Sequence, residues 1–456
     1  MTLDPGVFKA YDVRGLYPSE IDEAGARDLG RGFVEVVRAA TPGLDGAVGQ
    51  RVGDAGRRQA HVVPDRDPRG LEAGAHVTEL GLTATEMVYF AVADGNFDAG
   101  AQITASHNPP QYTGAKLVLA GALPLSGETG IAEIGRLIAA GQTVSRPGGT
   151  RTRDDTVLDR FVDAAMGFVD PTRIRRLRVV LDGANGMAGL FLAPVLERLD
   201  LDAVECFLDP DGRFPNHEPN PLLPENRAFI EAKVVAERAE LGIAWDGDAD
   251  RCFFIDDTGS FVPGDFLTAL LASHLLRRYG PADVIYDLRA SWAVREAITQ
   301  AGGRPHENRV GHAFIKRRMR ELDALFAGEV SGHYYFRDFS YADTGLIPAL
   351  LMLELLSELD RPLSDLIAGY RERFHISGEI NSTVADAPAV FAALRERYAD
   401  GEQQELDGLS VAYPEWHFNV RSSNTEPLIR LNLESLVSDA DMQRRRDEVL
   451  AIIRGD

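Results

Sequence analysis

The stretch RRLRVVLDGANGMAGLF, Arg175 to Phe191, decides the fold class. Val179 to Leu181 form a short apolar run that reads as a buried strand. Gly183 and Gly186 supply a turn, and apolar residues continue as a helix towards Glu197. The same order recurs downstream. LGIAWDGDADRCFFIDDTGSFV, Leu241 to Val262, reads as strand, tight acidic loop, strand, turn and strand. ADVIYDLRASWAVREAITQAGG, Ala282 to Gly303, reads as strand, loop and helix closing on a double glycine, which suits a helix C-terminus. This alternation predicts α/β layers with mostly parallel or mixed sheets. Loops after the strands then share an edge where ligands bind.

A chain of 456 residues is too long for one core and implies several domains. SRPGGTRTRDD, Ser145 to Asp155, reads as a linker; further breaks fall near Asp256-Asp257 and within RERFHISGEI, Arg371 to Ile380. Four segments result: 1–150, 151–256, 257–371 and a smaller 372–456. The first three share the strand-loop-helix style, and no short solenoid repeat is present. Arg51 to His76 is the exception. It holds five arginines, four glycines and two prolines, and the expected strand and helix cannot be read there. A long surface loop is one account, although structureless loops beyond about 15 residues are uncommon in compact domains. A shifted reading frame is the other.

No window approaches the roughly 18 continuous apolar residues of a membrane helix. The opening MTLDPGVFKAYDVRG lacks the basic and apolar regions of a leader. Cys206 and Cys252 make no disulfide framework and no CxxC zinc motif. A cytoplasmic protein is expected. The formal net charge of −22 argues against nucleic acid, which requires a basic stripe. It does not exclude a small phosphorylated substrate, because charges beyond about 8 Å are largely screened at physiological salt.

Four loops carry chemistry. TASHNPPQYTGAK, Thr104 to Lys116, sets Ser106 beside His107 and Asn108, with Pro109-Pro110 stiffening the exit; alone, it reads more readily as ordinary polar loop than as a catalytic site. DGDADR, Asp246 to Arg251, sets three carboxylates at alternating positions where they can converge on a hard cation such as Mg²⁺. An acidic turn is the plain alternative, but apolar strands on both sides pin the three acids at a sheet edge. GEVSGHYYF, Gly328 to Phe336, alternates Glu329, Ser331 and His333, which suit sugar hydroxyls or a polar strand edge. RSSNTEPLIRL, Arg421 to Leu431, offers a run of anion donors or a capped polar turn.

The set, in this order, resembles the α-D-phosphohexomutase family along nearly the whole chain. TASHNPP matches the family's serine loop, DGDADR its metal loop, GEVSGH its sugar loop and RSSNTEP its phosphate loop. KAYDVRG matches its start and VGHAFIK a further active-site stretch. The resemblance implies three similar α/β domains and a smaller C-terminal α+β domain around a central cleft. It implies that Ser106 carries a phosphoryl group and that Asp246, Asp248 and Asp250 bind Mg²⁺ together with an oxygen of that phosphoserine. Arg251, His107 and Lys116 would surround the transferring group, with Tyr11 and Arg14 completing the serine's setting. Glu329, Ser331 and His333 would hold sugar hydroxyls, with Arg289, His312 and Lys316 on neighbouring loops. Arg421, Ser423, Asn424 and Thr425 would grip the phosphate that does not react.

The implied activity is a phosphomannomutase working through phospho-Ser106 and a hexose 1,6-bisphosphate, which also serves as activator. His333 after the glycine in GEVSGH and the run YPEWHFNVRSSNTEPLIRLNLE resemble members that accept mannose phosphates. Mannose and glucose differ at one hydroxyl, a single hydrogen bond of about 1 kcal/mol, so activity on glucose phosphates is expected too. The alternatives are a phosphoglucosamine or glucose-restricted mutase, a phosphatase, and a non-catalytic sugar-phosphate binder. Small sugar phosphates are the expected partners, in a monomer or homodimer with no nucleic acid or membrane. The family's strand, Gly-Arg-Asp-like turn and helix cannot be carried onto Arg51 to His76.

Overall fold

The computed structural model describes residues 3–41, 49–54, 73–422 and 428–455. The chain divides into two compact units, one of Met1–Val262 with Ser331–Leu363, the other of Pro263–Val330 with Ser364–Asp456.

In the first unit the N-terminal sheet runs Val13–Leu16, Tyr112–Leu119, Ala99–Ile103, Gly49–Asp54, His76–Leu82, Thr150–Arg153. Pairing is parallel from Ala99–Ile103 outward to Thr150–Arg153 and antiparallel on the other side. The apolar stripe of helix Glu23–Ala40 (Leu29, Phe33, Val36, Val37) packs into one core with Val77, Ala101, Leu117 and Ile134. Two expectations fail here. Gly49–Asp54 is a strand paired on both sides, although no strand can be read from Arg51 onward. GQRVGD has no apolar alternation, so nothing in its own pattern marks it as a strand. Residues 55–72, where the irregular stretch continues, lie outside the described residues. Thr150–Arg153, inside the expected linker, is a strand on His76–Leu82. Its TRTR sequence is exposed throughout and gives periodicity nothing to show.

The second sheet runs Phe261–Val262, Cys252–Asp256, Leu241–Trp245, Arg178–Asp182, Asp202–Cys206. Arg178–Asp182 contains the run read as a strand, and helix Ala188–Leu196 follows with Glu197 at its cap. All five residues of Leu241–Trp245 are buried between a parallel and an antiparallel neighbour. Asp256 Oδ1 accepts the Thr258 and Ser260 N–H groups at 2.9 and 3.1 Å, turning the chain into Phe261–Val262 within the same sheet. Phe161 lies 6.0 Å from both Phe90 and Phe339 and 6.1 Å from Phe191, and Phe191 lies 6.2 Å from Trp245. This aromatic chain fixes Trp245, the residue before the acidic loop. The hairpin Tyr334–Phe336 with Ala342–Asp343 leads into the buried helix Leu346–Leu359.

In the second unit Asp283–Asp287 is flanked in parallel by Arg304–Asn308 and Phe326–Gly328, with helices Gly264–Tyr279, Trp292–Gln300 and His312–Leu322. The last sheet is antiparallel: Glu402–Gln404, Leu409–Ala412, Trp416–Ser422 and Leu428–Ser435 in order, the last also pairing His375–Ile376 and Ile380–Thr383. Leu394, Phe418, Leu431 and Val449 form its core with helices Ala387–Arg397 and Asp439–Arg454. The α/β class with mixed sheets and a small α+β C-terminal part is therefore as the sequence predicts.

Candidate active site

Ser106 follows strand Ala99–Ile103, and its backbone is left-handed at φ 55°, an uncommon conformation for a residue with a side chain. The Ser106 N–H donates to Thr104 Oγ1 at 2.8 Å, and Asn108 N–H to the Ala105 carbonyl at 3.1 Å, which holds the loop. Strand Tyr112–Leu119 returns beside Ala99–Ile103 with Lys116 opposite Gln102, and Arg14 lies opposite Gly114 on the next strand. Arg14 donates to both Asp12 and Asn108. Register therefore gathers Arg14 and Lys116 from two strands beside the loop that carries Ser106. Tyr11 is half-buried just before the first of them.

The acidic loop closes on the serine loop. A Cβ on Gly247 would stand 2.6 Å from the Ser106 carbonyl oxygen, so only glycine permits this approach. Ser106 Oγ donates to Asp246 Oδ2 at 3.3 Å. Asp248 Oδ2 accepts from Thr85 Oγ1 at 2.6 Å, Lys116 Nζ at 2.8 Å and Thr104 Oγ1 at 3.1 Å. Lys116 also bonds Asp250. The ligand oxygens of Asp246, Asp248 and Asp250 lie within 4.8 Å of one another, all buried, and among the described residues Asp248 Oδ1 has no hydrogen-bond partner. Three converging buried carboxylates with an open oxygen fit a hard divalent cation.

Burial, then Asp250 and Asp248, push the Asp246 carboxyl well above its usual range. Burial also opposes the charge of Asp250, but Lys116, His333 and Arg251 outweigh it and hold that carboxyl well below the usual range. Lys116 pays the same burial penalty, and the three aspartates more than offset it, raising its pKa. Burial, then Arg251, Arg14 and Lys116, lower the His107 imidazole well below its ordinary value, so it is neutral near pH 7. Its Nδ1 lies 3.2 Å from Ser106 Oγ.

Arg251 Nε stands 3.5 Å from Asp246 Oδ2 and donates to His333 Nε2 at 3.3 Å. His333 Nδ1 meets Ser331 Oγ at 3.0 Å, and its Nε2 is 3.5 Å from Asp250 Oδ1. The structure thus joins Ser331 and His333 to the serine and the acids. Asp343 stands with His333 and Asp250, their ligand atoms within 4.8 Å of one another.

In the second unit Asp287 is the organiser. Its Oδ1 accepts the Arg289 backbone N–H at 2.9 Å and Nε at 3.0 Å; its Oδ2 accepts Arg289 Nη2 and the Val330 N–H, both at 2.9 Å. The buried Glu329 accepts the Gly311 N–H at 3.1 Å through Oε1. His312 opens helix His312–Leu322, half-buried, and Lys316 one turn on is wholly buried. Arg289 Nη1 donates to Glu379 at 3.0 Å, so each of its three side-chain nitrogens already serves a carboxylate. Arg421 is 5% exposed on Trp416–Ser422. Ser423, Asn424 and Thr425 lie outside the described residues.

The sequence did not mark Thr85, Asp287, Gly345 or Glu379. Gly345 accepts Trp245 Nε1 at 3.0 Å through its carbonyl, and a Cβ there would meet the Ala249 oxygen at 2.4 Å. Each supports a residue that the sequence did mark.

Four domain families match the chain in succession. They are the phosphoglucomutase/phosphomannomutase alpha/beta/alpha domains I, II and III at residues 5–144, 159–259 and 263–374, and the phosphoglucomutase/phosphomannomutase C-terminal domain at 379–452. A phosphomannomutase of Escherichia coli is 40% identical over 458 residues, covering 98% of this chain and 99% of the relative. A phosphohexose mutase of Xanthomonas campestris is 40% identical over 451 residues, with 98% and 99% covered. A crystal structure of a phosphoglucomutase/phosphomannomutase family protein from Burkholderia thailandensis superimposes with a TM-score of 0.86 at 32% identity, covering 98% of each chain. The chain belongs to the phosphoglucomutase/phosphomannomutase family.

Proposed function

We propose that this protein interconverts mannose 1-phosphate and mannose 6-phosphate through a phosphorylated Ser106, and acts on glucose phosphates as well. One observation carries the proposal: Ser106 Oγ lies 3.3 Å from Asp246 Oδ2 and 3.2 Å from His107 Nδ1, beside three converging buried carboxylates. Relatives named phosphomannomutase at 38% to 40% identity over nearly the whole chain support the choice of sugar.

Phospho-Ser106 would give its phosphoryl group to the 6-hydroxyl of a hexose 1-phosphate. The Oγ–P bond breaks, the O6–P bond forms, and the hydroxyl proton leaves to a base. The resulting 1,6-bisphosphate would reorient, and Ser106 Oγ would recover the phosphoryl group from position 1: the O1–P bond breaks, the Oγ–P bond re-forms, and O1 takes up a proton. His107 Nδ1, 3.2 Å from Ser106 Oγ, would take the Ser106 proton in that second transfer. Lys116 and Arg251 stand where charge accumulates. Asp246, Asp248 and Asp250 would hold Mg²⁺, which when bound offsets the phosphate charge and polarises the group being transferred. Glu329, Ser331 and His333 are assigned to sugar hydroxyls, with His312 and Lys316 as further candidates for that role, and Tyr11 and Arg14 are assigned to the setting of Ser106. Arg421 with residues 423–425 is assigned to the phosphate that does not react. Hexose 1,6-bisphosphate would act as activator by rephosphorylating Ser106. A cytoplasmic location fits; among the described residues no helix is long and apolar enough to cross a membrane.

The test measures conversion of mannose 1-phosphate and glucose 1-phosphate side by side, with Mg²⁺ and a trace of hexose 1,6-bisphosphate, against Ser106→Ala. Turnover of both sugars and a dead variant are expected. A variant as active as the parent would overturn the role of Ser106, and release of inorganic phosphate in place of isomerised sugar would favour a phosphatase.

A further inference from the structure

Arg421 and Arg430 face each other directly across the strands Trp416–Ser422 and Leu428–Ser435. Like charges so placed repel, and Arg289 adds a third cation. Glu379 lies among all three. It precedes strand Ile380–Thr383, which pairs with Leu428–Ser435 and so fixes its place. Its Oε2 accepts Arg289 Nη1 at 3.0 Å, and its Oε1 accepts Arg430 Nη1 at 2.9 Å. Burial opposes its charge, but Arg289, Arg430 and Arg421 hold its carboxyl below the usual range.

Arg421 is treated differently. Its Nη2 is 4.0 Å from Glu379 Oε2, beyond hydrogen-bond reach, and its buried Nε has no partner among the described residues. Burial, then Arg289, lower its pKa. Arg289 is held by two carboxylates and Arg430 by one, while Arg421 keeps a buried donor with no partner among the described residues. A buried guanidinium in that state is costly until an anion arrives.

We infer that Glu379 is a positioning residue: it locks Arg289 and Arg430 into a fixed cationic frame and so leaves Arg421 as the donor that meets the substrate's phosphate. The inference rests on the proposed phosphate role of Arg421, and it revises that of Arg289 from ligand to frame. It has a sign that simple electrostatics does not share. Removing the Glu379 charge makes the cluster more positive, which by attraction alone tightens anion binding. Loss of positioning weakens it.

The test uses Glu379→Gln, of equal size, in the full chain. Inorganic phosphate binding is measured by titration calorimetry, and KM and kcat are measured with hexose 1-phosphate. Phosphate affinity about tenfold weaker is expected, with KM rising far more than kcat falls, the pattern of lost ground-state binding. Unchanged or tighter phosphate binding overturns the inference, as does a parent protein that binds no phosphate. Should Glu379→Gln fail to fold, Glu379→Asp decides: it keeps the charge but cannot reach both arginines, so weaker phosphate binding supports positioning and parental binding refutes it. If the parent binds phosphate yet isomerises no sugar, the proposed activity fails while the calorimetric comparison still reports on Glu379.

Discussion

Gly345→Ala tests whether the acidic loop is held from beneath. The added Cβ would stand 2.4 Å from the Ala249 carbonyl oxygen, 2.8 Å from Trp245 Cδ1 and 3.1 Å from the Arg251 carbonyl oxygen. Two of these three atoms are backbone of the loop between Asp246 and Cys252. They cannot rotate away, so restoring even 3.0 Å from 2.4 Å requires the loop to shift by 0.6 Å. The Trp245 Nε1 bond to the Gly345 carbonyl would be disturbed as well. Overpacking of this kind costs about 1–3 kcal/mol. Misplacement approaching 1 Å at a reacting group costs up to about 10²-fold in rate, so kcat should fall by roughly 10- to 100-fold. Urea denaturation gives the stability and steady-state assays give kcat. Gly369→Ala is the control: its Cβ meets nothing within 4 Å inside helix Leu363–Arg373, and it should gain about 0.5–1 kcal/mol without loss of rate. Parental kcat and urea midpoint in Gly345→Ala would refute the support role.

Thr85→Val removes the hydroxyl that donates to Asp248 Oδ2 at 2.6 Å while keeping the Thr85 N–H on the Asp248 carbonyl at 3.0 Å. A bond to a carboxylate is worth about 1.5–3 kcal/mol, and loss of such an outer partner costs about 10- to 100-fold in metal affinity; titration with Mg²⁺ or Mn²⁺ checks this. Asp265 is buried, and burial, opposed by the Ser291 N–H but reinforced by Asp287 and Glu434, raises its carboxyl from 3.8 to about 7. Its folded pKa exceeds its unfolded one, so its contribution is full below pH 3.8 and lost as pH rises to about 7. The ceiling is about 4 kcal/mol at 1.36 kcal/mol per pKa unit. Asp265→Asn should therefore gain stability relative to the parent between pH 4 and 7 in denaturation midpoints, and parallel pH profiles would count against it.

Legibility followed apolar pattern. Val179 to Leu181, Gly242 to Trp245 and Cys252 to Ile255 announce themselves because strands buried on both faces are continuous apolar runs, and all three fall inside observed strands. Gly49–Asp54 and Thr150–Arg153 did not, because a strand whose residues carry no apolar signal is fixed by its partners' hydrogen bonds. The chemistry-bearing residues were legible for another reason. Ser106, the aspartates and His333 are polar types packed into short loops with glycine and proline, where a core has no use for them. Arg289 shares that visibility, yet the structure gives its three nitrogens to Asp287 and Glu379. Residue type alone cannot separate a cation aimed at a ligand from one bonded to its own protein.

Supporting residues are silent for a geometric reason. Thr85 reaches Asp248 across 163 positions, Gly345 reaches Trp245 across 100, and Glu379 reaches Arg289 across 90. At such separations no local spacing records the contact; only the assembled sheets do. Thr85 opens a helix whose neighbours, Glu86 to Val88, give it the look of an ordinary first turn. Its hydroxyl nevertheless joins Thr104 and Lys116 on one oxygen of Asp248, while the other oxygen has no partner among the described residues. That asymmetry matters to the chemistry. A carboxylate with both oxygens satisfied would be a structural ion pair, whereas one held on a single side presents its second oxygen in a fixed direction. Arg421, its neighbours locked by Glu379 and its own Nε without a partner among the described residues, repeats the device with the sign of charge reversed.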